Sequence, residues 1–294
     1  MLLAHAIIAP WISELGGTNN NFSTYERCIP CDFNFFSHRY SENELKSIYS
    51  DYRGEKFFKV RNSWEPWYNN SVNGAFTNDP SASDQIEKRR VFMLEALRGV
   101  FPPGSSINGC IDFGGDYGQF FPPNSIGPRI LIDISEKPVS GVTVYKSLAE
   151  VPEHVDLVMN CNVIEHMTVI HEIINEMASK ITPNGFVYIE LPLDLFNVRN
   201  FHKSNFYQKY LEFLGKHRTA FIFTDFLSGV FRQFFGYIPM FGIVKQSEHI
   251  NYFSQKSIEK LIAQSKMSIV AISQPDYSYR VGHIKQGRIN VICR

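Results

Sequence analysis

The chain has no surplus charge: 29 Lys and Arg offset 29 Asp and Glu over 294 residues. Without a basic stripe, nothing marks a nucleic-acid partner or a strongly acidic one. Cysteine is scarce and odd in number, at five, which argues against a disulfide scaffold. Cys110, Cys161 and Cys293 lie in or beside apolar runs that read as buried strands. This usage suits a reducing compartment, so a cytoplasmic protein is expected. An unbroken membrane-length apolar run is also missing. The stretch from Phe221 to Val244 has the length, but Asp225, Arg232, three glycines and Pro239 interrupt it, so no span is expected. The apolar opening MLLAHAIIAPWI lacks the basic flank and small-residue cleavage site of a signal peptide. Internal repeats and low-complexity tracts are absent.

What is present is an ordinary globular composition, 44% apolar and 20% charged. Residues 1–75 form an N-terminal segment rich in aromatics and charges, and Ser41 with Glu44 has the form of a capping box that starts a helix over Glu42 to Tyr52. The Asn, Ser, Gly and Pro between Asn69 and Ser83 mark a boundary. Residues 76–294 form the second domain. It opens on a helix from Ser83 to Val100, stopped by Pro102, Pro103 and Gly104. Strands follow at Ile107–Phe113, Arg129–Ile134, Val142–Tyr145, Asp156–Cys161 and Phe186–Leu191, with helices after Gly118 and over Val169–Ile181. A helix at Ser257–Ser265 precedes strands at Ser268–Ile272 and Arg288–Cys293, which can pair as an antiparallel hairpin at one edge. The alternation predicts an α/β fold: a Rossmann-like, seven-stranded, mostly parallel sheet with helices on both faces.

The central motif is Cys110-Ile-Asp-Phe-Gly-Gly-Asp-Tyr-Gly-Gln119, a strand running into a glycine-rich turn. Glycines let a ligand approach the backbone, and a helix beginning there would present free N–H groups. Asp133, at the end of the next strand, can accept hydrogen bonds from ribose hydroxyls. A dinucleotide motif started at Gly114 would need glycines where Asp116 and Gln119 stand, and a carboxylate at Asp116 would face a pyrophosphate. S-adenosylmethionine (SAM) has no phosphate and carries an ammonium and a sulfonium, which suit Asp112 and Asp116.

IDFGGDYGQF, the acidic residue of LIDIS, VDLVMNCNVIEHM and NEMASKITPNGFVYIELP together resemble the successive motifs of class I SAM-dependent methyltransferases. EHINYFSQKSIEKLI is similar to the late motif of a branch that methylates sugars in polysaccharide and antibiotic pathways. The resemblance runs from about Arg90 to the C-terminus. It implies a methyltransferase using SAM on a small hydroxylated acceptor, such as a sugar or nucleotide-sugar. By position, Asp112, Gly114, Gly115 and Gly118 would line the methionyl end and Asp133 the ribose. Ser147 and Leu148 would lie near the adenine, and Asn162 would border the sulfonium. Glu165 and His166 match the family's Glu-His pair, where a packing role for His166 is the alternative to catalysis. One departure is Asp116, where the family often has a glycine. Gln246 is another: it stands where the carbon-methylating relatives carry a tyrosine, which leaves O-methylation open.

Removing a proton from an acceptor hydroxyl needs a base. His249 is the first candidate because imidazole titrates near neutrality, with Glu248 to tune or orient it; a loop-fixing role is the alternative. Cys28-Ile-Pro-Cys31 has zinc-knuckle spacing, but closure needs two more donors, so no metal is expected. The related enzymes often carry a second CxxC upstream, so a truncated knuckle is the reading here. The insertion at about 193–247 holds Phe221, Phe223, Phe226, Phe231, Phe234, Phe235, Tyr237 and Phe241, expected to pack a helical cap that also roofs the acceptor pocket. Two other classes remain open: an NAD-dependent oxidoreductase or epimerase on a similar sheet, and a non-catalytic SAM-fold binding protein.

Overall fold

A computed structural model describes residues 1–74, 83–134, 137–193, 195–274, 279–281 and 284–294. The chain divides into two compact units. The first comprises Met1–Ser81, Asp194–Ser254 and Ser278–Gln286; the second comprises Ala82–Leu193, Gln255–Tyr277 and Gly287–Arg294. The N-terminal segment and the insertion, expected as separate parts, thus belong to the same unit.

In the first unit the apolar opening becomes strand β1 (Leu2–Ile8) and helix α1 (Pro10–Gly16), which starts on a proline and ends at left-handed Gly17. Strand β2 (Phe22–Arg27) pairs antiparallel with β1, and β3 (Asn34–Phe36) continues that sheet. Cys28 and Cys31 lie in the turn between β2 and β3, both half-buried. The expected capping box starts α2 (Glu42–Tyr49): Ser41 N–H donates to Glu44 Oε2 at 2.7 Å and Glu44 N–H to Ser41 Oγ at 3.3 Å. Helices α3 (Glu55–Trp64) and α4 (Asn70–Gly74) complete the N-terminal part.

The second unit begins with α5 (Ser83–Leu97). Strands β4 (Cys110–Phe113), β5 (Arg129–Ile132), β6 (Thr143–Tyr145) and β7 (Val155–Cys161) follow, then α6 (Ile170–Ser179) and β8 (Ile181–Leu193). The insertion returns the chain to the first unit with α7 (Asn205–Lys216), α8 (Arg218–Phe235), β9 (Lys245–Gln246) and β10 (Asn251–Tyr252). Strand β9 extends β1 in parallel and β10 closes on β3, giving a five-stranded sheet of order β10-β3-β2-β1-β9. Tyr207, Leu211, Leu214 and Phe221 share one core with Ala4, Ala6, Ile7 and Tyr25. The insertion therefore packs against the N-terminal sheet.

Helix α9 (Gln255–Ala263), β11 (Ile269–Ser273) and β13 (Ile284–Cys293) complete the second unit, with a short β12 (Tyr279–Val281) paired to β13. Its seven-stranded sheet runs β6-β5-β4-β7-β8-β13-β11. The first five strands are mutually parallel, while β13 is antiparallel to both β8 and β11. The anticipated antiparallel pair sits at one edge of the sheet, with β11 outermost and β13 beside β8. This is the expected Rossmann-like α/β architecture. Strands β4 and β7 are buried along almost their whole length, as expected where both faces of a parallel sheet are covered. Met93 and Leu97 of α5 pack on the face formed by Cys110, Leu157, Met159, Tyr188 and Ile292.

Two expectations are corrected. No helix follows Gly118; residues 116–120 form turns. Pro122 and Pro123 come within five residues, and a proline drives the residue before it out of the helical region. The aromatics of the insertion do not all pack inward either. Phe221 is buried, but Phe223, Phe226, Phe234, Phe235 and Phe241 are exposed.

An ion cluster ties the first unit together. Lys245 Nζ donates to Glu65 Oε1 at 2.6 Å and also to Asp225. Arg61 donates to Glu65 Oε2 at 3.0 Å, and Trp11 Nε1–H to Glu65 Oε1 at 3.1 Å. Burial alone would raise the Glu65 carboxyl, but Lys245 and Arg61 hold it at about 2. Burial raises Asp225, against the pull of Lys245. Lys245→Met would leave Asp225 without its cation and Glu65 with Arg61 alone, and should cost about 3–5 kcal/mol in urea unfolding, the usual result of breaking a buried pair. Adding Asp225→Asn should recover part of that loss; no recovery would show that Asp225 does not depend on Lys245.

Candidate functional site

The glycine-rich turn leaves the carboxyl end of β4. Gly114 has φ 73°, and a Cβ there would lie 2.5 Å from Val163 Cγ2, so the position admits only glycine. A Cβ on Gly115 would fall 2.2 Å from Asp112 Cγ. The turn is thus wrapped tightly over the Asp112 carboxylate. Gly118 closes it, donating its N–H to Gly115 O at 2.9 Å. Asp116 has φ 52°, a left-handed conformation that a short polar side chain tolerates better than most. Its backbone therefore does what the glycine of the related loops does, and the departure noted in the sequence does not alter the turn.

Asp112 is fully buried, and neither of its carboxylate oxygens has a hydrogen-bond partner. Burial lifts its pKa to about 7; Arg89 opposes this, and Asp133 and Asp116 add to it. A buried carboxylate normally finds compensating donors or a cation. Here the chain supplies neither at bonding distance, and the carboxyl lies directly beneath a glycine turn. Asp133 follows β5, half-buried, with its backbone N–H bonded to Tyr145 O at 3.1 Å. Ser147 precedes a single 3-10 turn (Leu148–Glu150) and donates its hydroxyl to Glu150 Oε1 at 3.1 Å; Leu148 is buried.

After β7, Asn162 takes φ 62° and its N–H donates to Glu190 O at 2.9 Å. Its Oδ1 accepts from Arg288 Nη1 at 2.9 Å. Arg288 also donates to Glu190, which receives Arg89 Nε as well, at 3.0 Å. Burial would raise Glu190, but the two guanidinium groups outweigh it and hold the carboxyl below its ordinary value. Arg89, Glu190 and Arg288 went unnoticed in the sequence. Their signal was charge inside apolar strands, Glu190 within YIELP and Arg288 within RINVIC. Glu165 is also fully buried and lacks a hydrogen-bond partner at either oxygen; burial pushes it up to about 8. His166 Nε2 lies 4.0 Å from Glu165 Oε1.

Glu248 and His249 belong to the first unit, between β9 and β10. Arg61 Nη1 donates to Glu248 Oε1 at 3.1 Å, and Arg61 itself stacks over Trp11 and Tyr68, its Cζ 4.4 and 4.0 Å from their ring centroids. Tyr40 donates its hydroxyl to Ser247 O at 2.8 Å, and Tyr252 donates to His249 O at 3.3 Å. Gln246 points into the core, donating to His38 O at 2.9 Å. The Glu-His segment is thus held from both sides by buried groups. The second unit brings together Asp112, Gly114, Gly115, Gly118, Asp133 and Asn162 at the carboxyl ends of β4, β5 and β7, where open α/β sheets bind ligands.

No curated protein matches the chain. Solved structures of similar fold include the N-methyltransferase NodS from Bradyrhizobium japonicum WM9 in complex with S-adenosyl-L-homocysteine. It is 12% identical, with a TM-score of 0.43, over 76% of this chain and 96% of that one. Magnesium protoporphyrin IX methyltransferase from Synechocystis PCC 6803 with bound SAH is 14% identical, with a TM-score of 0.43, over 84% and 99%. A possible histamine N-methyltransferase from Thermotoga maritima is 13% identical, with a TM-score of 0.41, over 76% and 97%. The model of a family described as a methyltransferase domain matches residues 86–271, more than half of the sequence: the chain belongs to that methyltransferase family.

Proposed function

We propose that the protein is a SAM-dependent methyltransferase whose acceptor is a small hydroxylated molecule, a sugar or nucleotide-sugar. The observation that carries the cofactor reading is Asp112: a desolvated carboxylate without a donor, beneath a glycine turn, fits the cationic methionyl end of SAM. A pyrophosphate would meet Asp112 and Asp116 instead of donors, which disfavours NAD. Gly114, Gly115 and Gly118 would admit the ligand close to the backbone, Asp133 would accept from the ribose hydroxyls, and the backbone at Ser147 and Leu148 would border the adenine. Asn162, oriented by Arg288, would lie at the sulfonium. SAM supplies an electrophilic methyl group, so the chain's own task is to orient the acceptor, exclude water and take up a proton. His249 is the proposed base, with Glu248 and Arg61 fixing its segment and His166 as the second candidate. A hydroxyl acceptor is favoured because Gln246 stands where the carbon-methylating relatives carry a tyrosine.

Three measurements test this. Asp133→Ala should weaken SAM binding in calorimetry by about 1.5–3 kcal/mol, the worth of a hydrogen bond to a charged acceptor; unchanged affinity would remove Asp133 from the site.

Asp112 gives a pH test. Its folded pKa of about 7 exceeds the unfolded value, so its contribution to stability is present below roughly pH 4 and lost as pH rises through 7. Asp112→Asn should therefore unfold at a higher temperature than the unaltered chain at pH 8, with the difference shrinking toward pH 4. SAM favours the ionised carboxyl, so the shift it confers on the unaltered chain should grow with pH and flatten in the variant. A pH-independent difference would contradict the assignment.

His249→Ala should leave SAM affinity unchanged and lower turnover on nucleotide-sugar acceptors by ~10²–10⁴-fold, removing the ascending limb of the pH profile. Near-normal turnover would pass the role to His166.

A further inference from the structure

Helix α8 has its polarity reversed. Residues three and four apart share a helix face, and the face turned inward carries Phe221 with three polar groups, Thr224, Asp225 and Ser228. The opposite face carries Phe223, Phe226, Val230 and Phe234 at spacings of three, four and four. Phe223 is 64% exposed, Phe226 48% and Phe234 70%. The helix cannot roll to hide these rings. Asp225 is bound to Lys245, the Ser228 hydroxyl donates to Thr224 O at 2.6 Å, and Ile243 N–H donates to Ser228 Oγ at 2.8 Å. The apolar face continues past the helix end: Phe231 packs against Phe235 and Phe241 at 5.3 and 5.5 Å between centroids, and Phe235, Met240 and Phe241 are exposed. Helix α7 adds an exposed row of alternating aromatic and basic side chains, Phe206, Lys209, Phe213 and Lys216.

Charge selects the occupant. The whole chain is neutral, yet residues 195–247 hold seven Lys and Arg against two Asp and Glu, and one of those two, Asp225, is spent on buried Lys245. Arg199 stands 4.6 Å over the Tyr237 ring, which touches Phe231 and Phe235. A second copy of the chain docking by this face would set basic groups against basic groups. No helix among the described residues is long and apolar enough to cross a membrane. Exposed Phe side chains interspersed with Lys and Arg are instead the make-up of an element that lies in the surface of an anionic bilayer, rings in the acyl boundary and cations at the headgroups. We propose that the α7–α8 hairpin is a docking surface for anionic lipid membranes.

The test is co-sedimentation of the full chain with vesicles of phosphatidylcholine, with and without phosphatidylserine. The chain should pellet with the mixed vesicles at low salt, be released by high salt, and stay in solution with phosphatidylcholine alone. The variant Phe223→Ser/Phe226→Ser/Phe234→Ser should lower partitioning roughly tenfold or more, and Lys209→Glu/Lys216→Glu, at two exposed positions, should do so comparably. Thermal unfolding of both variants checks that they are folded; if the first is not, the second decides. Failure of the unaltered chain to bind phosphatidylserine vesicles at low salt would overturn the proposal. So would sedimentation velocity showing a dimer that the triple variant disperses, since the face would then belong to a second copy.

Discussion

A carboxylate taken out of water must find a cation or several donors, or else lose its charge, and the second unit is organised around three that are wholly buried. Glu190 is answered by Arg89 from α5 and Arg288 from β13, and stays ionised. Asp112 and Glu165 have no hydrogen-bond partner at either oxygen, and burial lifts them to about 7 and 8. Of these two, Asp112 lies directly under the glycine turn at the end of β4. The unit thus separates a carboxylate neutralised from within from two that find no hydrogen-bond partner and are pushed toward the neutral form. Asn162 joins the two sets. Its left-handed backbone hangs on Glu190 O, and its side-chain oxygen on Arg288, so the ion cluster sets the shape of the neighbouring loop.

The first unit applies the same constraint to a different end. Lys245 answers Glu65 and Asp225, and Arg61 answers Glu65 and Glu248 while lying between aromatic rings. Burial pulls the Arg61 guanidinium down, but Glu248 and Glu65 more than reverse it, and it remains charged. One cluster therefore fixes both the rotation of α8, through Asp225, and the segment bearing His249, through Glu248.

The strands of the second unit were readable because buried parallel strands are unbroken apolar runs between turn signals, and Ser41 with Glu44 announced α2 by local chemistry alone. Legibility failed where the cause was distant. Glu190 reads as a stray charge in an apolar strand until its partners, 101 and 98 residues away, are known. Asp225 looked like an interruption of an apolar stretch, and it is the anchor of α8. The helix expected after Gly118 was drawn from a familiar strand–turn–helix pattern, while the local signal, two prolines after two phenylalanines, pointed elsewhere. The glycine turn, Asp112, Asp133 and Asn162 could be placed from the sequence because spacing after each strand end is a local quantity. The desolvation of Asp112 could not, since it depends on what covers it.

Chain order imposes a last constraint. The first unit's sheet needs β9 and β10, which follow the whole Rossmann-like core in sequence, and its hydrophobic cover comes from α7 and α8. The second unit in turn needs β13, from the final residues, between β8 and β11. Neither sheet can be completed from one continuous stretch. Each carries an exposed strand edge until a distant segment returns, so loop closure must precede much of the burial that rewards it. The segments that return also carry residues of the proposed site. Arg288 enters with β13 and orients Asn162, while Glu248 and His249 enter between β9 and β10. Arg288 is therefore set only once β13 has joined its sheet, and the Glu248–His249 segment only once β9 and β10 have joined theirs.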